Sequence, residues 1–170
     1  IGLGIPAEPL FRSRDKSRYT QFRSCEKGLW LSVNKRDVSV IDGATEERFK
    51  IGTEVGKMAR GLLGPYKETL NPRIYPHLDL EWMLNSTKIA IENGIENICE
   101  AAFLYNGKYC AVDILHKVDG GYEIYEVKSS TDAGKEIYAQ DVAFQKYVLT
   151  ECGLNIVGTY LVCINNEYVR

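Results

Sequence analysis

The sequence lacks several features that define large classes of protein. None of its apolar runs reaches the roughly 20 residues needed to span a bilayer, and its first residues contain no continuous apolar stretch typical of a secretory signal. We therefore expect a soluble, cytoplasmic protein without a membrane partner. The 170 residues suffice for one hydrophobic core, which predicts a single globular domain.

Cysteine is sparse and irregularly spaced. The five cysteines are an odd number, and no two of them form a C-x-x-C pair. This pattern disfavours both a disulfide framework and a zinc ribbon, so we predict reduced thiols. The cysteines are Cys25, Cys99, Cys110, Cys152 and Cys163.

Excess charge is also small, and a net charge of -2 gives no general support for nucleic-acid binding. Its distribution is uneven, because residues 1–36 carry eight Lys and Arg against three acids. Such a segment can follow a phosphate backbone, although most basic runs are solvated helix faces. We predict a loose arm without chemistry at residues 1–16 and one domain at residues 17–170, in a chain that is a fragment of a longer protein.

The first half of this domain has helical spacing. Apolar residues predict an amphipathic helix from Ser17 to about Val33, with Ser17 as its N-cap. A second helix is expected with Thr45 as its N-cap and Gly64 as its end. A third follows a proline-marked loop and extends to about residue 93, with a candidate break near residue 85.

The second half changes to short β-branched and aromatic runs separated by glycine turns. Asn106-Gly107 separates the first two runs, and both central residues of a type I′ turn need positive φ, which these residues adopt readily. A third run, YEIYEVK, follows Asp119-Gly120-Gly121, and a helical segment and a final strand, NIVGTYLVCI, come after it. We therefore predict an α/β fold with a mixed sheet: an antiparallel three-strand meander, a helix and a further strand, with helices packed around the sheet.

Strand register brings ionisable residues together. A two-residue turn at Asn106-Gly107 places Glu100 directly across from Asp113. In the second hairpin, a two-residue turn at either 119–120 or 120–121 puts Asp113 on one sheet face with Glu126 and Lys128, whereas a three-residue turn would not.

Two carboxylates across a strand pair repel each other unless positive charge lies between them. Mg²⁺ or Mn²⁺ fits this need, because each favours a few carboxylate oxygens together with water and substrate phosphate. Candidate ligands are Asp113, Glu126, the Val127 carbonyl and Glu100. Lys128 would then orient or deprotonate the attacking water, or neutralise charge developing on phosphorus.

These residues resemble a known family. VDIL around Asp113, the EVK that contains Glu126 and Lys128, and a helix beginning near Gln140 look like the PD-(D/E)XK nuclease superfamily. The likeness is to the branch of RecB-like and CRISPR-adaptation exonucleases and an uncharacterised bacterial relative, and it runs from about Ser17 to the end of the chain. Its pieces are SRYTQFRSCEKGLWL, FKIGTEVGKMARGLL, EAAFLYNGKYCAVDIL, EVKSST, DVAFQKYVL and GTYLVCINNEYV.

The resemblance implies a restriction-endonuclease-like core, Asp113 and Glu126 as metal ligands and Lys128 as the catalytic lysine. It also implies a Mg²⁺- or Mn²⁺-dependent deoxyribonuclease, an exonuclease acting on single-stranded DNA or duplex ends, in DNA repair or a CRISPR-like process. The alternative is an inactive module of the same fold that binds nucleic acid or a partner protein.

Three positions depart from the family pattern. RecB-like members usually carry a histidine in the early helix, where this sequence has Gly56. His77 lies in the proline-marked loop and His116 projects from the face opposite Asp113, so neither replaces it. Either Glu100 supplies the absent ligand, or the metal is held by fewer protein groups.

The helix after the lysine differs too. Such enzymes often have Gln followed by Tyr four residues on, whereas here Gln140 is followed by Phe144. In the neighbouring register, Asp141 and Gln145 share one helix face, and would either line the site or form a surface pair. Gln140, Asp141 and Gln145 are therefore candidates for binding substrate.

Two further features follow from the same likeness. Ser129 and Ser130, directly after the lysine, would either bind a phosphate or form the turn into the next helix. Cys25 resembles the first of four cysteines that hold an iron–sulfur cluster in several of these exonucleases, but the other three, which normally follow the final strand, are absent here. We therefore predict no cluster within this chain, and one only if a longer protein completes it.

Overall fold

The computed structural model describes residues 16–35, 42–71 and 79–167. These ranges contain five helices and five strands. The helices are α1 (Lys16–Ser24), α2 (Glu26–Asn34), α3 (Gly43–Ala59), α4 (Leu80–Glu92) and α5 (Glu136–Glu151), and the strands are β1 (Lys67–Glu68), β2 (Asn97–Tyr105), β3 (Lys108–Val118), β4 (Gly121–Lys128) and β5 (Ile156–Cys163). Every helix within the described ranges is too short or too polar to cross a lipid bilayer.

The strands form one mixed sheet in the order β1-β2-β3-β4-β5. The pairs β2/β3 and β3/β4 are antiparallel, whereas the outer pairs β1/β2 and β4/β5 are parallel. The predicted α/β class with a mixed sheet is therefore confirmed. The two-residue β1 was not predicted, because a strand this short has too few residues to show an alternating pattern.

The two hairpins have the predicted register. Asn106 and Gly107 adopt φ of 46° and 73°, and Tyr105 pairs with Lys108 across them. In the second hairpin Val118 pairs with Gly121, so the turn is residues 119–120, the first of the two alternatives. Local turn chemistry thus fixed which residues of the three strands lie side by side.

The N-terminal region differs from the single helix predicted from Ser17 to Val33. It forms α1 and α2, because Cys25 has an extended backbone (φ -164°, ψ 104°) and acts as the N-cap of α2. Its Sγ accepts a hydrogen bond from the Gly28 N–H at 3.3 Å. Helix α1 begins at Lys16, so the predicted N-cap Ser17 lies inside the helix and the predicted arm extends one residue too far.

The other helices show smaller differences. The N-cap of α3 is Asp42 instead of Thr45, since the Asp42 carboxylate accepts the Thr45 N–H at 2.8 Å. This helix ends at Ala59, before Gly64, and α4 continues through Asn85 without a break. Local spacing predicted that these helices exist, but their ends depend on which side chain reaches the first free N–H groups.

The hydrophobic core lies on the central strands. Ile98, Leu115 and Ile124 pair across β2, β3 and β4 and belong to one buried cluster with Val148 and Leu149 of α5. A second cluster joins Met83 of α4 to Ala102 and Tyr109. Polar residues of β4 and α5 next to the first cluster are therefore held by a packed core.

Candidate functional site

Strands β3 and β4 are paired from Val118/Gly121 to Ile114/Tyr125, and Asp113 lies one residue beyond the last pair. The Val127 N–H donates a hydrogen bond to Asp113 Oδ2 at 2.7 Å. A side-chain carboxylate thus continues the contact between the strands and is held against β4. The backbone register places it beside Glu126.

Glu126 is the most highly connected acid of this region and is only 2% exposed. Lys128 Nζ donates to its Oε1 at 2.6 Å, and Gln145 Nε2 donates to its Oε2 at 2.7 Å. Lys16 Nζ lies 3.0 Å from Oε1 and 3.2 Å from Oε2. Residues from α1, β4 and α5 therefore converge on one buried carboxylate.

Asp141 of α5 completes the arrangement. Its Oδ2 accepts a hydrogen bond from Lys128 Nζ at 2.6 Å, and its Oδ1 lies 3.5 Å from Lys16 Nζ. Gln145 Nε2 bonds to the same Oδ1 at 3.2 Å. We call Lys16, Glu126, Lys128, Asp141 and Gln145 the ion cluster; it holds two ammonium groups and two buried carboxylates, with Asp113 alongside.

The charges of the ion cluster shift one another's protonation. Burial alone would lower the pKa of Lys16 and of Lys128, but the charges of Glu126 and Asp141 outweigh it and raise both pKa values. For Asp113, burial is the largest influence and raises the pKa, against the opposing effects of Lys16 and of the Val127 hydrogen bond. The lysines are therefore held as ammonium ions, and Asp113 is more easily protonated than an exposed Asp.

Gln145 contains an unsatisfied acceptor. The residue is fully buried, and its Oε1 is the one buried side-chain polar atom of the described residues that has no hydrogen-bond partner. An unmade hydrogen bond of this kind costs about 1–3 kcal/mol, so a buried acceptor usually marks a place for water or another ligand. Asp141 and Gln145 bond to each other but are both buried, so they do not form a surface pair, and their role in binding substrate stays a prediction.

Glu100 does not pair directly with Asp113 in the described strands, contrary to the prediction. The neighbouring pairs Cys99/Ile114 and Ala101/Val112 form, but Glu100 adopts φ 57°, in the left-handed region that interrupts a regular ladder. Its carboxylate is paired with Arg60 Nη2 at 3.1 Å. Its charge still raises the pKa of Asp113, and its service as a metal ligand stays a prediction.

The residues predicted to bind a metal supply carboxylate and carbonyl oxygen atoms. Within the described residues, no three His, Cys, Asp or Glu side chains are arranged to hold a metal ion. The donor chemistry nevertheless fits, because Mg²⁺ typically uses one or two carboxylates plus water and substrate phosphate, and Asp113 and Glu126 lie next to each other. Glu126 and Asp141 pair with the ammonium of Lys16, so the positive charge at this place is supplied by a lysine.

Other predicted substrate-binding residues lie outside the ion cluster. Ser129 is exposed. Ser130 Oγ bonds to the backbone N–H and carbonyl of Asp132 at 3.2 Å, which supports the turn alternative. Gln140 accepts from Arg23 Nε at 3.0 Å and donates to Glu136 at 2.6 Å.

The histidines and cysteines have other partners. His116 Nδ1 lies 2.7 Å from Asn97 Oδ1, and His77 lies outside the described residues. The space where a side chain would project from Gly56 is open. All five cysteines are free thiols, and Cys25 serves as a helix cap.

Sequence reasoning missed Lys16, which was assigned to the arm. It lies 110 positions from Glu126, and its only signal was membership of the basic N-terminal stretch. Helix α1 packs on α5, where Tyr19 stacks on Phe144 with ring centroids 5.0 Å apart. This contact brings Lys16 to the carboxylates.

We compared the chain with protein-family models, with curated proteins and with solved structures, and none of these comparisons found a match.

Proposed function

We propose that the protein is a Mg²⁺- or Mn²⁺-dependent nuclease that hydrolyses phosphodiester bonds of DNA, with a restriction-endonuclease-like core of the PD-(D/E)XK type. One observation carries the proposal. Asp113, one residue beyond the β3/β4 pairing, accepts a hydrogen bond from Val127, the residue between Glu126 and Lys128, and Lys128 bonds to the buried carboxylate of Glu126. Carboxylates that hold a divalent cation beside a lysine that stabilises developing charge can support metal-assisted attack of water on a phosphate.

Each residue has a defined task in this proposal. The carboxylates of Asp113 and Glu126, with the Val127 carbonyl, would hold the cation. When bound, the cation supplies Lewis-acid chemistry, polarising a phosphate oxygen and acidifying water. The protein contributes the fixed geometry, because Asp113 is bonded to the Val127 N–H and Glu126 is bonded to Gln145.

Lys128 is positioned by two acids at once, with Nζ 2.6 Å from both Glu126 and Asp141. Its ammonium group therefore points in one direction without needing substrate to order it. Such a preorganised donor suits the orientation of the attacking water or the stabilisation of charge on the phosphoryl oxygens. Asp141 acts through Lys128 as a positioning residue.

An inactive module of the same fold is the second candidate. Lys16 and Lys128 already neutralise Glu126 and Asp141, and no three-acid group is present in the described part of the chain. This alternative predicts binding of nucleic acid or of a protein without cleavage under any divalent metal.

The test is a cleavage assay on end-labelled single-stranded and double-stranded DNA, with RNA in parallel, in Mn²⁺, Mg²⁺ or EDTA. We expect metal-dependent products that fall at least about 100-fold in Asp113→Ala and in Lys128→Ala. Lys88→Ala is the matched control, since Lys88 is 73% exposed and pairs with Glu92, which is 61% exposed. Products that persist in both site variants would contradict the assignment, and no products with any metal would favour the inactive module.

A further inference from the structure

We infer that Lys16 is a built-in competitor of the divalent cation: its ammonium group contacts both carboxylate oxygens of Glu126, one of the proposed metal ligands, and metal binding has to displace it. This inference rests on the proposed function, since it deepens the description of the same metal site. It gives helix α1 a regulatory role, because the state of Lys16 sets how readily the site is loaded.

The geometry separates Lys16 from the other lysine of the ion cluster. Lys16 Nζ lies within 3.2 Å of both oxygens of Glu126. A cation bound by Glu126 would therefore compete with this ammonium group for the same carboxylate. Lys128 contacts only one oxygen of Glu126 and bridges to Asp141. A divalent ion at Glu126 and the Lys16 ammonium would require the same space.

Charge balance explains why a divalent ion can win. Lys16 and Lys128 contact Glu126 and Asp141, and Asp113 acts on Lys16 electrostatically, so the formal charges are two positive against three negative when Asp113 is ionised. Replacing the single charge of Lys16 by a divalent ion removes that imbalance. If both cations stayed, the site would carry excess positive charge in a poorly solvated place, which is unfavourable.

Lys16 can leave without unfolding anything. It is the first residue of α1, and its side chain is 19% exposed, so its flexible stem gives the ammonium group a path to water. Two α1–α5 contacts do not involve Lys16 and would remain, namely the stacking of Tyr19 on Phe144 and the hydrogen bond from Arg23 to Gln140. Displacement therefore needs side-chain rotation but no movement of the helix.

The first test measures Mn²⁺ affinity directly, by the electron paramagnetic resonance signal of free Mn²⁺, on the intact protein. We expect Lys16→Gln to bind Mn²⁺ about tenfold more tightly than wild type, because no ammonium has to be displaced. Lys16→Arg keeps the positive charge and should bind no more tightly than wild type. Lys88→Gln, an equal loss of charge on an exposed lysine, should leave the affinity unchanged. Equal or weaker binding by Lys16→Gln, with its circular dichroism spectrum intact, would overturn the inference.

The second test measures how accessible the Lys16 side chain is in the protein without substitutions. Brief acylation of lysines followed by mass spectrometry should show Lys16 becoming more reactive when Mn²⁺ is added, with Lys88 as the internal reference. No change at Lys16 under saturating Mn²⁺ would overturn the inference.

Failure of this inference can be told from failure of the proposed function. Equal, tight Mn²⁺ binding by wild type and Lys16→Gln, with cleavage intact, would contradict competition by Lys16 but would be consistent with the proposed nuclease activity. No Mn²⁺ binding by either protein would remove both.

Discussion

Replacing Glu126 by Gln removes one charge from the centre of the ion cluster with almost no change in shape. The Glu126 carboxylate accepts hydrogen bonds from Lys16, Lys128 and Gln145. The new amide nitrogen is a donor, so it cannot accept from the groups that faced the second carboxylate oxygen. Asp141 would then be the one carboxylate that still contacts both ammonium groups.

The size of the effect follows from burial. Removing one partner of a buried ion pair costs about 3–5 kcal/mol, because the other charge is left uncompensated. Here the two lysines keep Asp141 and are 19% and 20% exposed, so water offsets part of that loss. We expect the free energy of unfolding to fall by about 2–3 kcal/mol, and the melting temperature by about 5–10 °C for a domain of this size.

The assay is urea unfolding followed by far-UV circular dichroism, in EDTA so that no metal contributes. Glu92→Gln is the matched control, because its partner Lys88 lies 3.9 Å away and both side chains are more than half exposed. That control should change stability by less than about 0.5 kcal/mol. If Glu126→Gln also stayed within that range, the ion cluster would not stabilise the fold and the reasoning would be refuted.

A double-mutant cycle isolates the contact on which the site depends. Lys16→Met and Glu126→Gln are combined, and the two single changes should fail to add by at least about 1 kcal/mol. Strict additivity would mean that Lys16 and Glu126 do not interact in solution.

Three further predictions concern parts of the fold outside this pair. Tyr19→Ala should lower the free energy of unfolding by about 0.5–1.5 kcal/mol, because it removes a stacked aromatic pair. Amide hydrogen exchange should become faster in α1 but not in the sheet. Unchanged exchange in α1 would contradict the packing of this helix through the Tyr19 ring. Gly120→Ala should lower the free energy of unfolding by about 1–2 kcal/mol, because Gly120 has a positive φ of 84° that alanine adopts only with strain. The space around Gly120 is open, so no steric clash adds to this cost. The control Gly43→Ala should be neutral, and equal effects of the two changes in chemical denaturation would count against the turn assignment. Burial raises the pKa of the Cys110 thiol to about 12 from 9.0. At pH 8 the thiolate fraction of Cys110 should therefore be about a thousandfold smaller than that of an ordinary thiol. A thiol reagent should label the exposed Cys25 first and should label Cys110 only after the protein unfolds.

The sequence determined the central meander and the relative register of Asp113 and Glu126, but not the position of Glu100. Asn106-Gly107 and Asp119-Gly120 are turns whose geometry depends only on their own residues, and a two-residue turn fixes every pair along the strands it joins. That is why the neighbourhood of Asp113 and Glu126 was predictable from spacing, and it is the part of the site that the structure confirms.

The sequence predicted that the helices exist, but it did not predict which face of each helix packs on the rest of the fold. The four-residue spacing of Asp141 and Gln145 established that they share a face, but only packing of α5 on the sheet decided that this face meets Glu126. The equally plausible Gln140 faces Arg23 instead. A helix has several faces, and a local pattern does not say which one a distant strand will contact.

Only the tertiary structure decided the two features that most change the chemistry. Glu100 departs from the ladder and binds Arg60, and Lys16 enters the site from a helix 110 positions away in the chain. Neither has a local signal, because each depends on charges that meet only after the chain has folded. Turn geometry is set by neighbouring residues, whereas the balance of a buried charge cluster is set by whichever groups the completed fold brings together.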